Sequence, residues 1–306
     1  MKNGVFYSKG KLLLSGEYVV LHGARALAVP LKRGQRMTAG PARTAGIIDW
    51  RTKVEGQDWF SAVFNLDDFG VLETNDINIA RFISDLLQAC SLFRPELKDA
   101  ARGYALYHEI DFDIRWGLGS SSSLVSNLAD WLDIDPWTLY RKVFSGSGYD
   151  LFCARAEGPI LYRLEDDRPE VIPVNFKPAF TGRLYFVYLG RKQDSQESVR
   201  QFTLQVHRDD KLIRKISELT EAFTIAATFD EFIAVVRVHE ETLSPILGLP
   251  MVKQQFFSDF EGEVKSLGAW GGDFVMAATA MPEKEVRNYF VSKGMPVVFG
   301  YEQLVL

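Results

Sequence analysis

A glycine–serine run in the middle of the chain most constrains its fold. The run Gly117-Leu118-Gly119-Ser120-Ser121-Ser122-Ser123 follows residues 104–114, which alternate as in a strand, and leads directly into the apolar helical segment 124–132. A strand, a glycine turn and a helix in succession bring backbone N–H groups and the positive end of the helix dipole to one point. Serine hydroxyls add donors and can ligate Mg²⁺. The run therefore predicts a phosphate-binding loop, and a flexible linker fits this setting poorly.

Two other residues carry side chains suited to phosphoryl transfer. Lys11 begins an apolar segment, where a lysine is usually a solvated strand end; its ammonium group would also stabilise a phosphoryl group in transfer. Asp150 follows the turn sequence Ser145-Gly146-Ser147-Gly148, where an aspartate is usually a turn former. Such a carboxylate can also accept a proton from an attacking hydroxyl. Taken alone, each feature is better explained by a structural role than by catalysis. The glycine–serine run, Lys11 and Asp150 taken together favour a phosphotransfer site.

Composition excludes several classes of protein. The formal charge of −5 argues against a dedicated nucleic-acid or membrane-surface binder, which normally has a basic excess. The two cysteines, Cys90 and Cys153, have no metal-ligand spacing and are too few for a disulfide scaffold, which suits a reducing compartment. We therefore expect a soluble cytoplasmic protein, monomer or homodimer, that acts on a small molecule and has no nucleic-acid or membrane partner.

The order of segments predicts an α+β fold in two domains. Residues 11–14 and 17–21 have the composition of two strands, and residues 76–93 have apolar positions at helical spacing. Asp135-Pro136 has the signature of a helix start. Strands and helices are mixed in both halves, and the loop at 176–178 is a plausible boundary. The expected domains are therefore residues 1–180 and 181–306.

Three segments, taken in chain order, carry a family resemblance. They are Gly10-Lys11-Leu12-Leu13-Leu14-Ser15-Gly16-Glu17-Tyr18-Val19-Val20, the run 117–123, and Gly268-Ala269-Trp270-Gly271-Gly272-Asp273. These segments resemble the three motifs of the GHMP kinases, a family that includes galactokinase, homoserine kinase, mevalonate kinase and phosphomevalonate kinase. Ser147-Gly148-Tyr149-Asp150 resembles the segment that carries the catalytic aspartate in many members. Glu17-Tyr18 and the Gly-Gly-Asp ending are more like phosphomevalonate kinases than mevalonate kinases.

The resemblance implies a fold and an activity. The fold would join an N-terminal domain with a left-handed β-α-β unit to a ferredoxin-like C-terminal domain, with ATP and substrate in the cleft between them. The activity would be transfer of the γ-phosphoryl group of ATP, with Mg²⁺, to phosphomevalonate or mevalonate. A sugar or amino-acid kinase and a catalytically silent nucleotide-binding relative remain as alternatives.

The resemblance also implies roles for individual residues. Lys11 would stabilise the transferring phosphate and Asp150 would act as the base. Glu17 would contact the substrate, and Ser121 would contact Mg²⁺. Nucleotide contacts are expected from both glycine loops, at Gly117, Leu118, Gly119, Ser120, Ser121, Ser122, Gly268, Gly271 and Gly272.

A charged segment after the strand near 183–189 is a further candidate for substrate binding. Arg191, Lys192 and Ser195 would suit an anionic group on the acceptor, and a solvated surface loop is the alternative interpretation.

Two of the departures from the family pattern bear on the nucleotide and magnesium sites. Trp270 stands where the family has a glycine, which predicts a stiffer or reshaped third loop. Counting back from Asp150, the position of the family's magnesium-binding glutamate falls near Leu139-Tyr140, where there is no carboxylate. Magnesium would then be held by serines and water, or by another ligand, for which Glu157 and Asp194 are candidates.

Overall fold

The computed structural model describes residues 3–99, 102–190, 200, 202, 206–268, 270 and 272–306, and these residues form an α+β fold. The strands are β1 (Gly4–Ser15), β2 (Ala26–Pro41), β3 (Ile47–Val54), β4 (Gln57–Asn65), β5 (Val71–Thr74), β6 (Tyr104–Ile110), β7 (Ile160–Glu165), β8 (Arg168–Pro173), β9 (Leu184–Tyr188), β10 (Glu263–Leu267), β11 (Phe274–Ala278) and β12 (Val298–Gly300). The helices are α1 (Ile77–Phe93), α2 (Ser120–Leu132), α3 (Pro136–Val143), α4 (Tyr149–Arg155), α5 (Asp210–Ile225), α6 (Phe229–Leu247), α7 (Val252–Phe256), α8 (Glu283–Ser292) and α9 (Tyr301–Leu304). Within this part of the chain, no helix combines the length and apolar character needed to cross a bilayer.

The chain divides into two compact units, and the first comprises Met1–Gly10, Arg33–Ile114 and Leu118–Arg155. Its strands lie in the order β5-β4-β3-β6-β2, with β3 and β6 parallel and the other pairs antiparallel. Helices α1 to α4 share one hydrophobic core with the strands. The largest fully buried side chains of this core include Trp50, Phe64 and Trp131.

The second unit comprises Lys11–Lys32, Arg115–Gly117 and Ala156–Leu306. It contains an antiparallel sheet in the order β10-β11-β9-β12 and the pairing of β2 with β7 and of β7 with β8. Helix α6 packs on β10. The chain crosses from one unit to the other within β1, within β2 and on either side of residues 115–117. Each unit is therefore built from several separate segments, whereas a single boundary near residue 180 would give two continuous ones. The expected domains 1–180 and 181–306 stay a prediction.

One predicted strand is wrong, and the reason lies in the backbone. Residues 17–21 do not form a strand, because β1 ends at Ser15 and a short 3₁₀ helix runs over Val19–His22. Gly16 has φ +93°, and a side chain there would overlap the backbone of Ala26 and Arg25. Tyr18 also has a positive φ, of 60°. Two such residues turn the chain sharply, which hydrophobic patterning does not reveal.

Candidate functional site

Lys11 and the first glycine of the central run lie together in the second unit. The Lys11 ammonium Nζ donates a hydrogen bond to the Gly117 carbonyl oxygen at 2.9 Å. Gly117 has φ +65°, and a side-chain carbon at this position would overlap the carboxylate of Asp273. Only glycine therefore allows Asp273, the last residue of the third motif, to approach the run this closely. This arrangement places a lysine ammonium beside the first glycine of the run.

The run then becomes the first turn of α2 in the first unit. Gly119 is the N-cap residue, with φ 96°, and the helix begins at Ser120. The first N–H groups of a helix have no acceptor within it and are suited to binding anions. Ser120 is half-buried and Ser121 is exposed, whereas Ser122 is buried and its hydroxyl donates to the Gly119 carbonyl at 3.0 Å. The Ser122 hydroxyl thus stabilises the turn, and its backbone N–H is the group suited to an anion.

Asp150 lies at the start of α4, which packs against α2 within the first unit. Its carboxylate Oδ1 accepts a hydrogen bond from the Leu151 N–H at 3.0 Å, and the side chain is half-buried. The other end of α4 is tied to α2: Arg155 Nη1 donates to Ser126 Oγ at 3.0 Å, and Arg155 Nη2 lies 2.9 Å from Asp130 Oδ1. Asp150 lies near the N-terminal end of α4, and the contacts of Arg155 at the C-terminal end help to set the orientation of this helix.

The third motif forms a loop after β10, described at Gly268, Trp270, Gly272 and Asp273. Gly268 has φ +65° and open space where a side chain would stand. Trp270 is buried, its indole Nε1 donates to the Pro250 carbonyl at 3.1 Å, and its backbone N–H donates to Tyr18 Oη at 2.9 Å. A tryptophan in place of the family's glycine thus anchors this loop.

Glu17 is buried, whereas a residue that contacts substrate would have an exposed side chain. Its carboxylate is fully buried and forms an ion pair with Lys265, which is also fully buried and lies in the middle of β10. Glu240 and His239, on α6, complete the cluster: Lys265 Nζ is 3.9 Å from Glu240 Oε1, and His239 Nε2 is 3.4 Å from Glu17 Oε2. A substrate contact by Glu17 stays a prediction, since the contacts found are internal.

Burial sets the protonation of this cluster. Burial raises the pKa of Glu17 and raises that of Glu240 to about 8, in each case against the opposing influence of Lys265. Burial holds the pKa of His239 well below its usual value, and the Lys265 charge adds to this effect. His239 is therefore neutral, and its Nε2 accepts the Gly16 N–H at 3.4 Å.

Several predicted residues lie outside the described residues. These are Arg191, Lys192 and Ser195 of the charged segment, Gly271 of the third motif, and the alternative magnesium ligand Asp194. Across the described ranges, no three acidic, histidine or cysteine side chains are grouped in a way that could hold a metal ion.

Sequence reasoning missed Lys265 and Arg155, whose partners are distant in the sequence. Lys265 stands inside an apolar strand, and a charged residue in such a strand needs a buried counter-charge. That signal was available, although the sequence does not identify the partner. Arg155 carried no comparable signal.

Comparison with solved structures gives high-probability matches over nearly the whole chain. The mevalonate kinase of Methanococcus jannaschii matches with a TM-score of 0.69 and 14% sequence identity, covering 97% of each chain. The phosphomevalonate kinase of Streptococcus pneumoniae, solved with phosphomevalonate and AMPPNP, matches with a TM-score of 0.71 and 18% identity, covering 97% of this chain and 99% of that one. The galactokinase of Lactococcus lactis, solved with galactose, matches with a TM-score of 0.65 and 14% identity, covering 96% and 92%.

At these identities the matches establish a shared fold. No protein-family model and no curated protein matches the chain. The three matched structures are all GHMP kinases. The chain has the fold of the GHMP kinases.

Proposed function

We propose that this chain is an ATP-dependent small-molecule kinase whose acceptor is phosphomevalonate or mevalonate. The observation that carries the proposal is the hydrogen bond from Lys11 to Gly117, which holds an ammonium group at the start of a glycine loop leading into a helix. In phosphoryl transfer, positioning and electrostatic stabilisation account for most of the catalysis. A lysine, a glycine loop and a helix N-terminus supply both.

Each part of the site has a chemical task in this proposal. The backbone N–H groups of Gly119 to Ser122 hold the ATP phosphates, and Lys11 stabilises the negative charge on the transferring group. The bond between the γ-phosphorus and the bridging oxygen of ATP breaks, and a bond forms from that phosphorus to the acceptor oxygen. With a hydroxyl acceptor, Asp150 takes the proton that the oxygen loses.

Magnesium fits this site through oxygen ligands. Mg²⁺ keeps several waters and commonly binds through substrate phosphates with few protein ligands. The Ser121 hydroxyl is exposed in the first turn of α2 and is suited to such a role. Because Mg²⁺ binds in this way, we expect the ATP phosphates and water to supply most of its ligands.

The choice of acceptor rests on the motif resemblance and on two of the matched proteins, a mevalonate kinase and a phosphomevalonate kinase. A sugar kinase is the second candidate, because the galactokinase match has a similar TM-score and the same identity as that to the mevalonate kinase. A silent nucleotide-binding relative is the third, because Trp270 anchors a loop that has a glycine in the family.

Measuring ADP release against a panel of acceptors separates these candidates. The panel consists of mevalonate, phosphomevalonate, diphosphomevalonate, homoserine and galactose, each tested with Mg-ATP. We expect turnover with mevalonate or phosphomevalonate. Turnover confined to galactose would support the sugar kinase, and ATP binding without turnover on any acceptor would support the silent relative.

The role of Asp150 is tested by Asp150→Asn, which removes the negative charge and keeps the shape. We expect the turnover number to fall by about 10²–10⁴-fold with ATP affinity nearly unchanged. Asp135→Asn is the matched control, because Asp135 caps α3 by accepting the Thr138 N–H and asparagine caps helices equally well. Equal turnover in the two variants would remove Asp150 from the base role.

A further inference from the structure

A closed series of contacts in the second unit connects the first and third motifs. Lys11 bonds to the Gly117 carbonyl, and Asp273, at the end of the third loop, lies against Gly117. At Trp270, the same loop bonds back to Tyr18, three residues after the end of β1. Lys11 and the third motif are therefore connected by two routes, one through Gly117 and one through Tyr18.

A buried ion pair reinforces this connection just before the loop. Glu17 pairs with Lys265, and the Lys265 ammonium also donates to the Ser266 carbonyl at 2.8 Å, two residues before Gly268. Both charged side chains are fully buried, and burying two charges costs free energy that the pairing only partly recovers. An ion pair that adds little to stability, yet joins the segment after β1 to the strand before Gly268, is better explained by positioning.

The indole of Trp270 also helps to hold this residue in place. It is 3% exposed and belongs to a hydrophobic cluster with Val19 and Leu243, while its Nε1 bonds to the Pro250 carbonyl. Trp270 is therefore held in place by contacts within the chain, through its buried side chain and its backbone bond to Tyr18. Ordering in advance lowers the entropic cost of binding.

We propose that Tyr18 and the Glu17–Lys265 pair are positioning residues that preform the Gly268 loop relative to Lys11 for binding of the nucleotide phosphates. This inference deepens the proposed kinase function, and its nucleotide-binding part rests on that function. Tyr18 acts through Trp270, and the ion pair acts through β10; neither needs to touch the nucleotide.

The principal test is Tyr18→Phe, which removes only the hydroxyl that accepts the Trp270 N–H. We expect amide exchange of residues 268–273 to become faster and the Kd for Mg-ATP to rise about fivefold, the effect of one lost hydrogen bond. At saturating ATP, kcat should change less than twofold. Tyr301→Phe is the matched control, because the Tyr301 hydroxyl is buried in the same unit and donates to the Phe176 carbonyl at 2.8 Å.

Amide exchange separates failure of this inference from failure of the proposed function. Faster exchange in Tyr18→Phe alone, with no ATP binding even in the unsubstituted protein, would retain the positioning role of Tyr18 for the loop and reject the kinase proposal. Unchanged exchange of residues 268–273, or an equal change in Tyr301→Phe, would overturn the positioning role of Tyr18 whatever the activity.

A double variant tests the ion pair without leaving a charge buried alone. Glu17→Gln combined with Lys265→Met replaces the pair by neutral side chains of similar size, a change that is often tolerated in protein interiors. We expect a folded protein with faster exchange in residues 268–273 and a Kd for Mg-ATP raised about fivefold or more. A folded double variant with the exchange and ATP affinity of the unsubstituted protein would show that the pair has no positioning role.

Discussion

At the scale of single residues, Gly117 is a position where the backbone conformation and a close neighbour both disfavour a side chain. Its φ of +65° disfavours any side chain, and a Cβ would overlap the Asp273 carboxylate. We expect Gly117→Ala to lower the free energy of unfolding by about 1–3 kcal/mol, the usual cost of a strained backbone position, and to weaken ATP binding. Thermal unfolding and calorimetric titration with Mg-ATP measure the two effects.

Gly158→Ala provides the control for that prediction. Gly158 lies in the same unit, lacks a positive φ, and has open space where a side-chain carbon would be. We expect it to match the unsubstituted protein in both measurements. If Gly117→Ala behaved as Gly158→Ala does, the close approach of Asp273 would have no consequence for binding.

The same scale shows what the sequence could and could not predict. Gly117 and Lys11 were predicted as members of one site because glycines at a helix start and a lysine beside an apolar strand have recognisable local chemistry, and the contact between them is found. The partner of Glu17 could not be predicted, because Lys265 is 248 positions away and nothing local specifies the pairing. Long-range pairing of buried charges depends on the packed fold.

At the scale of elements, the starts of α1 and α3 were predicted well, α2 begins at Ser120, four residues before the predicted helical segment, and the turn after β1 was not predicted. Asp135 caps α3 and Pro136 is at its first helical position, as the sequence indicated. The predicted helix over 76–93 is found as α1, whose cap, Asp76, accepts the Asn78 and Ile79 N–H groups. Caps are local, whereas the failure at 17–21 arose because close packing against Ala26 requires the positive φ of Gly16.

The contacts that Arg155 of α4 makes with Ser126 and Asp130 of α2 lead to a prediction. We expect Arg155→Met to speed amide exchange in residues 149–155 by about two- to fivefold, because a partly exposed ion pair contributes up to about 1 kcal/mol. Turnover should fall as well, since Asp150 is on this helix. Hydrogen exchange and steady-state kinetics measure the two effects.

Arg51→Met is the control for the α4 prediction. Arg51 forms an exposed ion pair with Asp49 on β3 in the same unit, and its side chain is 63% exposed. It should leave the exchange of residues 149–155 unchanged. Equal exchange in the Arg155 and Arg51 variants would mean that α4 is held by packing alone.

At the scale of the whole molecule, each unit contains a titratable group that burial keeps neutral. In the second unit, burial raises the pKa of Glu240 to about 8 from an ordinary 4.5. In the first unit, burial lowers the pKa of His108 to about 3 from an ordinary 6.5, where its ring stacks on Trp50 and contacts Gln35. The two groups therefore affect stability in opposite directions as pH changes.

The signs follow from proton binding. Folded Glu240 keeps its proton up to about pH 8 while the unfolded chain loses it near 4.5, so this group lowers stability as pH rises through that window. Folded His108 stays neutral down to about pH 3 while the unfolded chain binds a proton below 6.5, so this group lowers stability as pH falls. Each pKa unit of difference corresponds to about 1.4 kcal/mol.

Two variants test whether Glu240 and His108 change the stability of the protein in opposite directions as pH changes. Glu240→Gln should reduce the loss of stability between about pH 5 and 8, and His108→Gln should reduce the loss between about pH 6 and 3. Denaturant unfolding at a series of pH values measures both slopes; a constant offset from the substitution does not alter them. The slope of each variant is compared with that of the unsubstituted protein over the same pH range. If both variants kept the slope of the unsubstituted protein, neither buried group would control stability. A change of slope confined to one variant would locate the pH sensitivity in one unit.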